Sequence, residues 1–196
     1  MNEPIALILL AAGQSARFGG DKLAFRIEGV PLLSRALRLY GTGALKERIG
    51  TRVLVLNPER KAFLAEAEAH GFAVVWNDRP EDGQARSIRL GIEAAVPKRP
   101  TGLLFSVADQ PYLGAKTVER LMDVFQSDPT RIVAPAANGR RGNPVLFPSA
   151  YADELKRLLG DTGGNVVIRA HADRLTVIET AERELQDIDV RTEEMR

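Results

Sequence analysis

Ile5-Ala6-Leu7-Ile8-Leu9-Leu10 runs directly into Ala11-Ala12-Gly13-Gln14-Ser15-Ala16-Arg17-Phe18-Gly19-Gly20-Asp21-Lys22. The first six residues are apolar throughout instead of alternating, the pattern of a strand covered on both faces. The loop after them is rich in small residues and carries two cations, Arg17 and Lys22. Small residues let backbone N–H groups come close to phosphate oxygens. Arginine forks two oxygens and lysine adds a point charge. A rigid strand, a flexible loop and two cations suit a polyphosphate site. The same features also serve a plain chain reversal after a first strand, so the loop read alone leaves both open. Two named nucleotide motifs are excluded. No G-x-G-x-x-G is present. The P-loop pattern fails because Gly13 and Gly19 are one residue too far apart, Asp21 precedes the lysine and Leu23 follows it.

Outward from this stretch, short apolar runs alternate with amphipathic segments. A helix is expected from Pro31, with Leu33, Ala36, Leu37 and Tyr40 on one face at i, i+3, i+4, i+7 spacing. Val53–Leu56 reads as the second strand. Asn57-Pro58 then reads as an N-cap and a first-turn proline, opening a helix that Gly71 closes. Ala73–Trp76 is the third strand. After a polar loop, Ile88, Gly91, Ile92 and Ala95 mark a helix. Leu103–Val107 is a central strand ended by Asp109-Gln110-Pro111. Val118, Leu121, Met122 and Phe125 mark the next helix. Strands follow at Ile132–Ala134, Val145–Phe147, Leu175–Ile178 and Leu185–Ile188, with helical stretches at 149–159 and up to about residue 172. This alternation predicts a doubly wound α/β fold, a three-layer α/β/α arrangement with a mostly parallel sheet made mixed by the later hairpin-like part. No linker-like composition break interrupts residues 1–196, so one domain is expected.

Composition narrows the function. The 196 residues include no cysteine, which excludes thiolate metal sites and cysteine nucleophiles. His70 and His171 lack zinc spacing and read as surface helix residues without a role. The net charge of +1 argues against a nucleic-acid partner. No apolar run approaches the ~20 residues needed to span a bilayer. Met1-Asn2-Glu3-Pro4 lacks a basic leader region, and the expected location is cytoplasmic, away from membranes.

In doubly wound sheets, ligands bind at the carboxyl ends of the strands. Asp109 stands there, just past an apolar strand, where an unpaired buried carboxylate would cost several kcal/mol. It suits magnesium, which takes one or two carboxylates and completes its shell with phosphates and water. It also suits a solvated turn aspartate. Asp187 and Asp189 would share one face of a strand, as a metal-facing pair or as a solvated edge. Asn77, Gly83 and Ser87 surround a loop-to-helix junction whose N–H groups and hydroxyl suit the acceptors of a pyrimidine. Read alone, Gly83 and Ser87 equally shape a helix start. Arg140 and Arg141 either meet an anionic acceptor or face solvent.

Leu10 to Lys22 resembles the signature L-A-A-G-x-S-x-R-x-G-x-D-K of the nucleotidyltransferases that act on molybdenum cofactor (MobA/MocA-like NTP transferases), matching at Leu10, Ala11, Ala12, Gly13, Ser15, Arg17, Gly19, Asp21 and Lys22. Asp109-Gln110-Pro111 resembles the family's metal-aspartate motif. Gly83, Ser87 and Ile88 match its G-x-x-x-S-[IL] element. Gly142-Asn143-Pro144-Val145-Leu146-Phe147 matches its G-[NH]-P-V-L-F segment. Asp187-Ile188-Asp189 resembles D-I-D-T-P-E-D-L, with Val190-Arg191 in place of Thr-Pro. Gly160-Asp161-Thr162-Gly163-Gly164-Asn165 resembles G-D-x-G-A-R, with Gly164-Asn165 in place of Ala-Arg.

The resemblance implies a molybdenum cofactor cytidylyltransferase, moving CMP from CTP to the phosphate of molybdopterin with release of pyrophosphate. It implies Mg2+ on Asp109 and Asp189, with Arg17, Lys22 and Asp109 carrying the chemistry. Leu10, Ala11, Ala12, Gly13, Ser15, Asn77, Gly83 and Ser87 would hold the nucleotide. Asn143, Pro144, Asp161 and Gly163 would hold the acceptor, and a molybdenum enzyme would receive the product. The guanylyl branch reads Leu-Ala-Gly-Gly where this chain has Ala12, which points to CTP over GTP. The lost arginine at Asn165 keeps two alternatives open, another phosphorylated acceptor and a non-catalytic nucleotide-binding chaperone.

Overall fold

The computed structural model describes residues 4–14 and 18–188. Its strands are β1 (Ile5–Ala11), β2 (Ile49–Leu56), β3 (Ala73–Trp76), β4 (Gly102–Val107), β5 (Ile132–Ala137), β6 (Val145–Pro148) and β7 (Leu175–Glu179). With the two-residue strand Arg140–Arg141 paired to β5, they form an eight-stranded sheet in the order β7-β5-β6-β4-β1-β2-β3. β1 pairs parallel with β2 and β4, β2 with β3, and β5 with β7. Only β6 among the longer strands runs against its neighbours, antiparallel to both β4 and β5. The expected doubly wound, mostly parallel mixed sheet is the observed one.

β1 is central because both of its faces are apolar. Ile5, Leu7 and Leu9 point to one side and Ala6 and Ile8 to the other, all at most 1% exposed. The first side is covered by α1 (Leu32–Gly41), α2 (Gly43–Arg48), α3 (Leu64–Ala69) and α5 (Ala115–Ser127). The second is covered by α4 (Gln84–Ala95), α6 (Ala152–Lys156) and α7 (Asn165–Ala170). The periodic residues read from the sequence face inward, including Leu33, Leu37 and Tyr40 on α1 and Ile88, Ile92 and Ala95 on α4. α4 lies close enough to β1 that a Cβ at Gly91 would stand 2.3 Å from Ile8 Cγ2 and 3.2 Å from Val55 Cγ2. Gly91→Ala is therefore expected to overpack this layer and cost about 1–3 kcal/mol in urea unfolding. Unchanged stability would mean that the helix slides freely on the sheet.

Three expectations are corrected. Residues 149–159 do not form one helix: a 3-10 turn at Ser149–Tyr151 leads into α6, which ends at Lys156. The segment after Asn57 starts as a 3-10 turn, Pro58–Phe63, before α3. No strand forms at Leu185–Ile188. Glu182–Leu185 is a 3-10 turn, and Ile188 reaches the loop after β4 with a single N–H bond to the Asp109 carbonyl at 3.1 Å. Ile188 is buried, whereas Gln186 and Asp187 are exposed. One apolar anchor among exposed polar residues fastens a strap but does not build a ladder. Asp187 thus lies in no strand, and Asp189, its expected face-mate, lies outside the described residues. Among the described residues no helix is long and apolar enough to cross a membrane.

Candidate active site

A cleft of about 700 Å³ opens where β1 and β4 end. Leu10, Ala11, Ala12 and Gly13 enter its wall from the end of β1, and Lys22 from the loop beyond. Gly83, Ser87, Asp109 and Asp161 complete the set of expected residues that the fold gathers around it. Ser15 and Arg17, expected on this loop, lie outside the described residues, as does Asp189.

Lys22 Nζ stands 2.6 Å from Asp109 Oδ2, with the side chains 15% and 21% exposed. The lysine read as a phosphate ligand is here paired with the carboxylate read as a metal ligand. The loop that carries Asp109 is held from behind by the C-terminal strap. Gln110 Nε2 donates to the Leu185 carbonyl at 3.2 Å, and the Gly114 N–H donates to Glu184 Oε2 at 2.9 Å. The other carboxylate oxygen, Asp109 Oδ1, is buried with no hydrogen-bond partner among the described residues. An unpartnered buried carboxylate oxygen is costly, and it is a ready ligand for a hard cation. Among the described residues no group of three acidic, histidine or cysteine side chains could hold a metal alone.

The junction before α4 is built differently from the expectation. Gly83 adopts φ +86° and ψ −178°, backbone open essentially to glycine alone. The turn at Gly160-Asp161 packs on it, and a Cβ at Gly83 would stand 2.3 Å from the Gly160 carbonyl carbon. The Ala85 N–H donates to the Gly160 carbonyl at 3.1 Å and the Gln84 N–H reaches Asp161 Oδ1 at 3.4 Å. Two of the helix-start N–H groups, expected to be open to a base, are therefore capped by the chain itself. Asp161, expected on the acceptor side, is one of these caps while also lining the cleft.

Asn77 does not line the cleft; it is fully buried. Its Oδ1 accepts from the Arg79 N–H at 3.1 Å and from Arg86 Nε at 2.9 Å. Those two donors fix the amide so that Nδ2 donates to Ser87 Oγ at 3.0 Å. With a lone pair so engaged, the Ser87 hydroxyl is left to donate its proton elsewhere, and Ser87 lines the cleft.

A second cavity of about 150 Å³ adjoins the first, sharing Leu10, Gln84 and Val107. Its polar lining includes Gln84, Ser106, Arg141, Asn143 and Asn165, and its apolar side includes Phe105 and Phe147, packed edge to face at 5.9 Å. Asn143, expected on the acceptor side, lines this smaller cavity. Pro144 follows it across a cis peptide bond and does not line either cavity, and Gly163 packs against Gln84 at the α7 start. Arg141, left open between acceptor and solvent, lines the cavity. His171, read as a surface residue without a role, clips α7 to α6: Nε2 lies 2.8 Å from Glu154 Oε2, and the ring meets Tyr151 edge to face.

Arg60 was not singled out from the sequence. It is 5% exposed, and its guanidinium reaches the Ala11 carbonyl and Asp21 Oδ1, both at 2.7 Å. In a segment reading Asn-Pro-Glu-Arg-Lys it looks like one more solvated charge. The one local signal is the cap at Asn57, whose Oδ1 accepts from the Glu59 N–H at 3.0 Å and so shapes the turn that carries it.

The chain is 29% identical over 171 residues to the purine catabolism protein PucB of Bacillus subtilis, covering 83% of this chain and 80% of that protein. It is 30% identical over 172 residues to the molybdenum cofactor guanylyltransferase of Mesorhizobium japonicum, covering 82% and 75%. Among solved structures, Rv0371c of Mycobacterium tuberculosis H37Rv matches with a TM-score of 0.74 at 25% identity over 95% of this chain and 94% of that one. Its manganese complex matches with a TM-score of 0.68 at 23% identity, over 91% and 90%. Residues 7–175, which include both ends of the loop after β1, Asp109 and the walls of both cavities, match the MobA-like NTP transferase domain, and the chain belongs to that family of nucleotidyltransferases.

Proposed function

We propose that a single domain, residues 1–196, transfers CMP from CTP to the terminal phosphate of a molybdopterin-type acceptor and releases pyrophosphate. The observation that carries this reading is the Lys22–Asp109 pair at 2.6 Å in a cleft that a second, mixed polar and aromatic cavity adjoins. The larger cleft suits the nucleotide. The smaller suits part of a planar acceptor, with Asn143 and Asn165 as hydrogen-bonding groups and Arg141 as a cation for its anionic end. Ala12 supports CTP: it is one of the residues lining the cleft, at the position where the guanylyl signature has glycine and more room for a purine. The Ser87 proton, directed by Asn77, suits a carbonyl or ring-nitrogen acceptor on the base.

The chemistry needs little from the protein beyond placement. An acceptor phosphate oxygen attacks the α-phosphorus, and the bond to the oxygen leading to the β-phosphate breaks. The nucleophile is already anionic, so no general base is required, and catalysis rests on positioning and charge neutralisation. Lys22 leaves Asp109 to hold the phosphates that become pyrophosphate, and Arg17 serves with it. Asp109, with Asp189, would hold Mg2+, which when bound neutralises charge on the triphosphate; the manganese complex of Rv0371c supports a divalent ion in this fold. On this reading the product passes to a molybdenum enzyme in the cytoplasm.

GTP is the second reading, favoured by the guanylyltransferase of Mesorhizobium japonicum at 30% identity. A melting scan with magnesium and each of CTP, GTP, ATP and UTP separates them. Nucleotide at about 100 times its Kd adds about 2.7 kcal/mol, expected to raise Tm by about 5–10 °C for a chain of this size. A shift with CTP alone, followed by pyrophosphate release on addition of molybdopterin, is the expected result. A shift with GTP alone moves the protein to the guanylyl reading. CTP binding without pyrophosphate release from any phosphorylated acceptor would overturn the transferase assignment.

A further inference from the structure

We propose that Arg60 is a positioning residue for the nucleotide loop, joining the loop's two ends through one buried guanidinium. This inference rests on the nucleotide-binding reading of the cleft. Ala11 is the last residue of β1, and Asp21 immediately precedes Lys22. Arg60 Nη1 donates to the Ala11 carbonyl and Nε to Asp21 Oδ1, each at 2.7 Å. One rigid fork thus ties Ala11 to Asp21. Asp21 passes the constraint on, since its Oδ1 also accepts from the Leu23 N–H at 3.2 Å and caps the short turn that carries Lys22. The chain leaves helical geometry at Arg60 (φ −98°, ψ 23°) where its side chain turns inward.

Charge gives the second half of the argument. A carboxylate next to Lys22 would repel a triphosphate, and Asp21 is 37% exposed. Arg60 neutralises it from the buried side. Lysine could supply the charge but not the two donors at fixed separation. Burying a guanidinium is costly unless it is paired and hydrogen-bonded, and here one cation is used to hold two ends of one loop. Arg60 touches neither cavity, so it acts through the loop and not on the substrate.

The test uses isothermal titration of Mg2+ and the preferred nucleotide into the full chain, with steady-state KM values for nucleotide and acceptor. In Arg60→Met the nucleotide Kd and KM are expected to rise about tenfold or more, the strength of a charge-assisted bond, with the acceptor KM unchanged. Arg60→Lys should lose less, because it restores the charge but only one of the two bonds. Asp21→Asn in the Arg60→Met background should recover part of the affinity by removing the exposed carboxylate. Wild-type nucleotide affinity in a folded Arg60→Met protein overturns the proposal, and so does an equal loss for nucleotide and acceptor. If Arg60→Met fails to fold, Arg60→Lys decides in the same way, with undiminished nucleotide affinity counting against it. A wild-type chain that binds no nucleotide sinks the reading of the cleft and this inference together, whereas a variant that matches a nucleotide-binding wild type sinks this inference alone.

Discussion

Asparagine at position 109 is expected to lower turnover by about 10²–10³-fold while leaving the fold intact, the scale on which losing one preorganised electrostatic group acts. The substitution keeps the shape and an oxygen for Lys22 Nζ, now 2.6 Å from Oδ2, but removes the charge. Oδ1 lies buried without a hydrogen-bond partner among the described residues, so no other interaction of that oxygen is lost with the charge. Asp109 also keeps its backbone role, because its carbonyl still accepts from the Ile188 N–H. Tm should therefore stay close to wild type. Two measurements are needed: pyrophosphate release under saturating substrates, and Mn2+ binding followed by electron paramagnetic resonance in the presence of nucleotide. Loss of both, in a protein that melts normally, is the expected outcome. Full turnover in Asp109→Asn would remove Asp109 from the chemistry. Lost turnover with undiminished Mn2+ binding would keep it catalytic but end its assignment as the metal ligand.

Gly83→Ala is expected to be the most damaging single-methyl change at the cleft. Two independent costs fall on the same atom. The backbone at φ +86° and ψ −178° is accessible essentially to glycine alone and costs about 1–3 kcal/mol for other residues. The added Cβ would stand 2.3 Å from the Gly160 carbonyl carbon and 2.4 Å from its oxygen. Both are backbone atoms, so no side chain can rotate away. Relief requires the 160–161 turn to lift from α4, breaking the Gly160 cap on the Ala85 N–H. A total near 3 kcal/mol corresponds to a Tm fall of roughly 6–12 °C. Because Gly83, Gln84 and Asp161 line the main cleft and Gln84 lines both cavities, nucleotide affinity should fall with stability. Differential scanning calorimetry and nucleotide titration check the two effects. A variant that melts and binds like wild type would show that the turn is not fixed to the helix. Gly91→Ala serves as the comparison, since there the neighbours of the added atom are side-chain methyls that can give way.

The sequence by itself determined the layers and the edge of the sheet at which the cleft opens. β1 was legible because a strand buried on both faces needs an unbroken apolar run, and Ile5 to Leu10 is one. α1, α4 and α5 were legible because one buried face imposes a 3.6-residue repeat. The Asn57 cap was legible because its chemistry closes within two residues. In a doubly wound sheet the loops after the strands gather at the carboxyl edge, and Lys22 and Asp109 do meet there. The strap at 182–188 was misread because one buried isoleucine between polar residues looks the same in a short edge strand and in an anchored turn.

The tertiary structure alone decided who pairs with whom. Arg60 joins Ala11 and Asp21 across 49 and 39 residues. Asp161 caps α4 from 77 residues away, and Glu184 holds the Gly114 N–H from 70. Asn77 is withdrawn from the cleft to aim the Ser87 hydroxyl. Apolar burial repeats along a chain, so a periodic pattern records it. A hydrogen bond or ion pair between distant segments involves one residue on each, leaves no period behind, and exists only once the packed layers have brought its partners within about 3 Å.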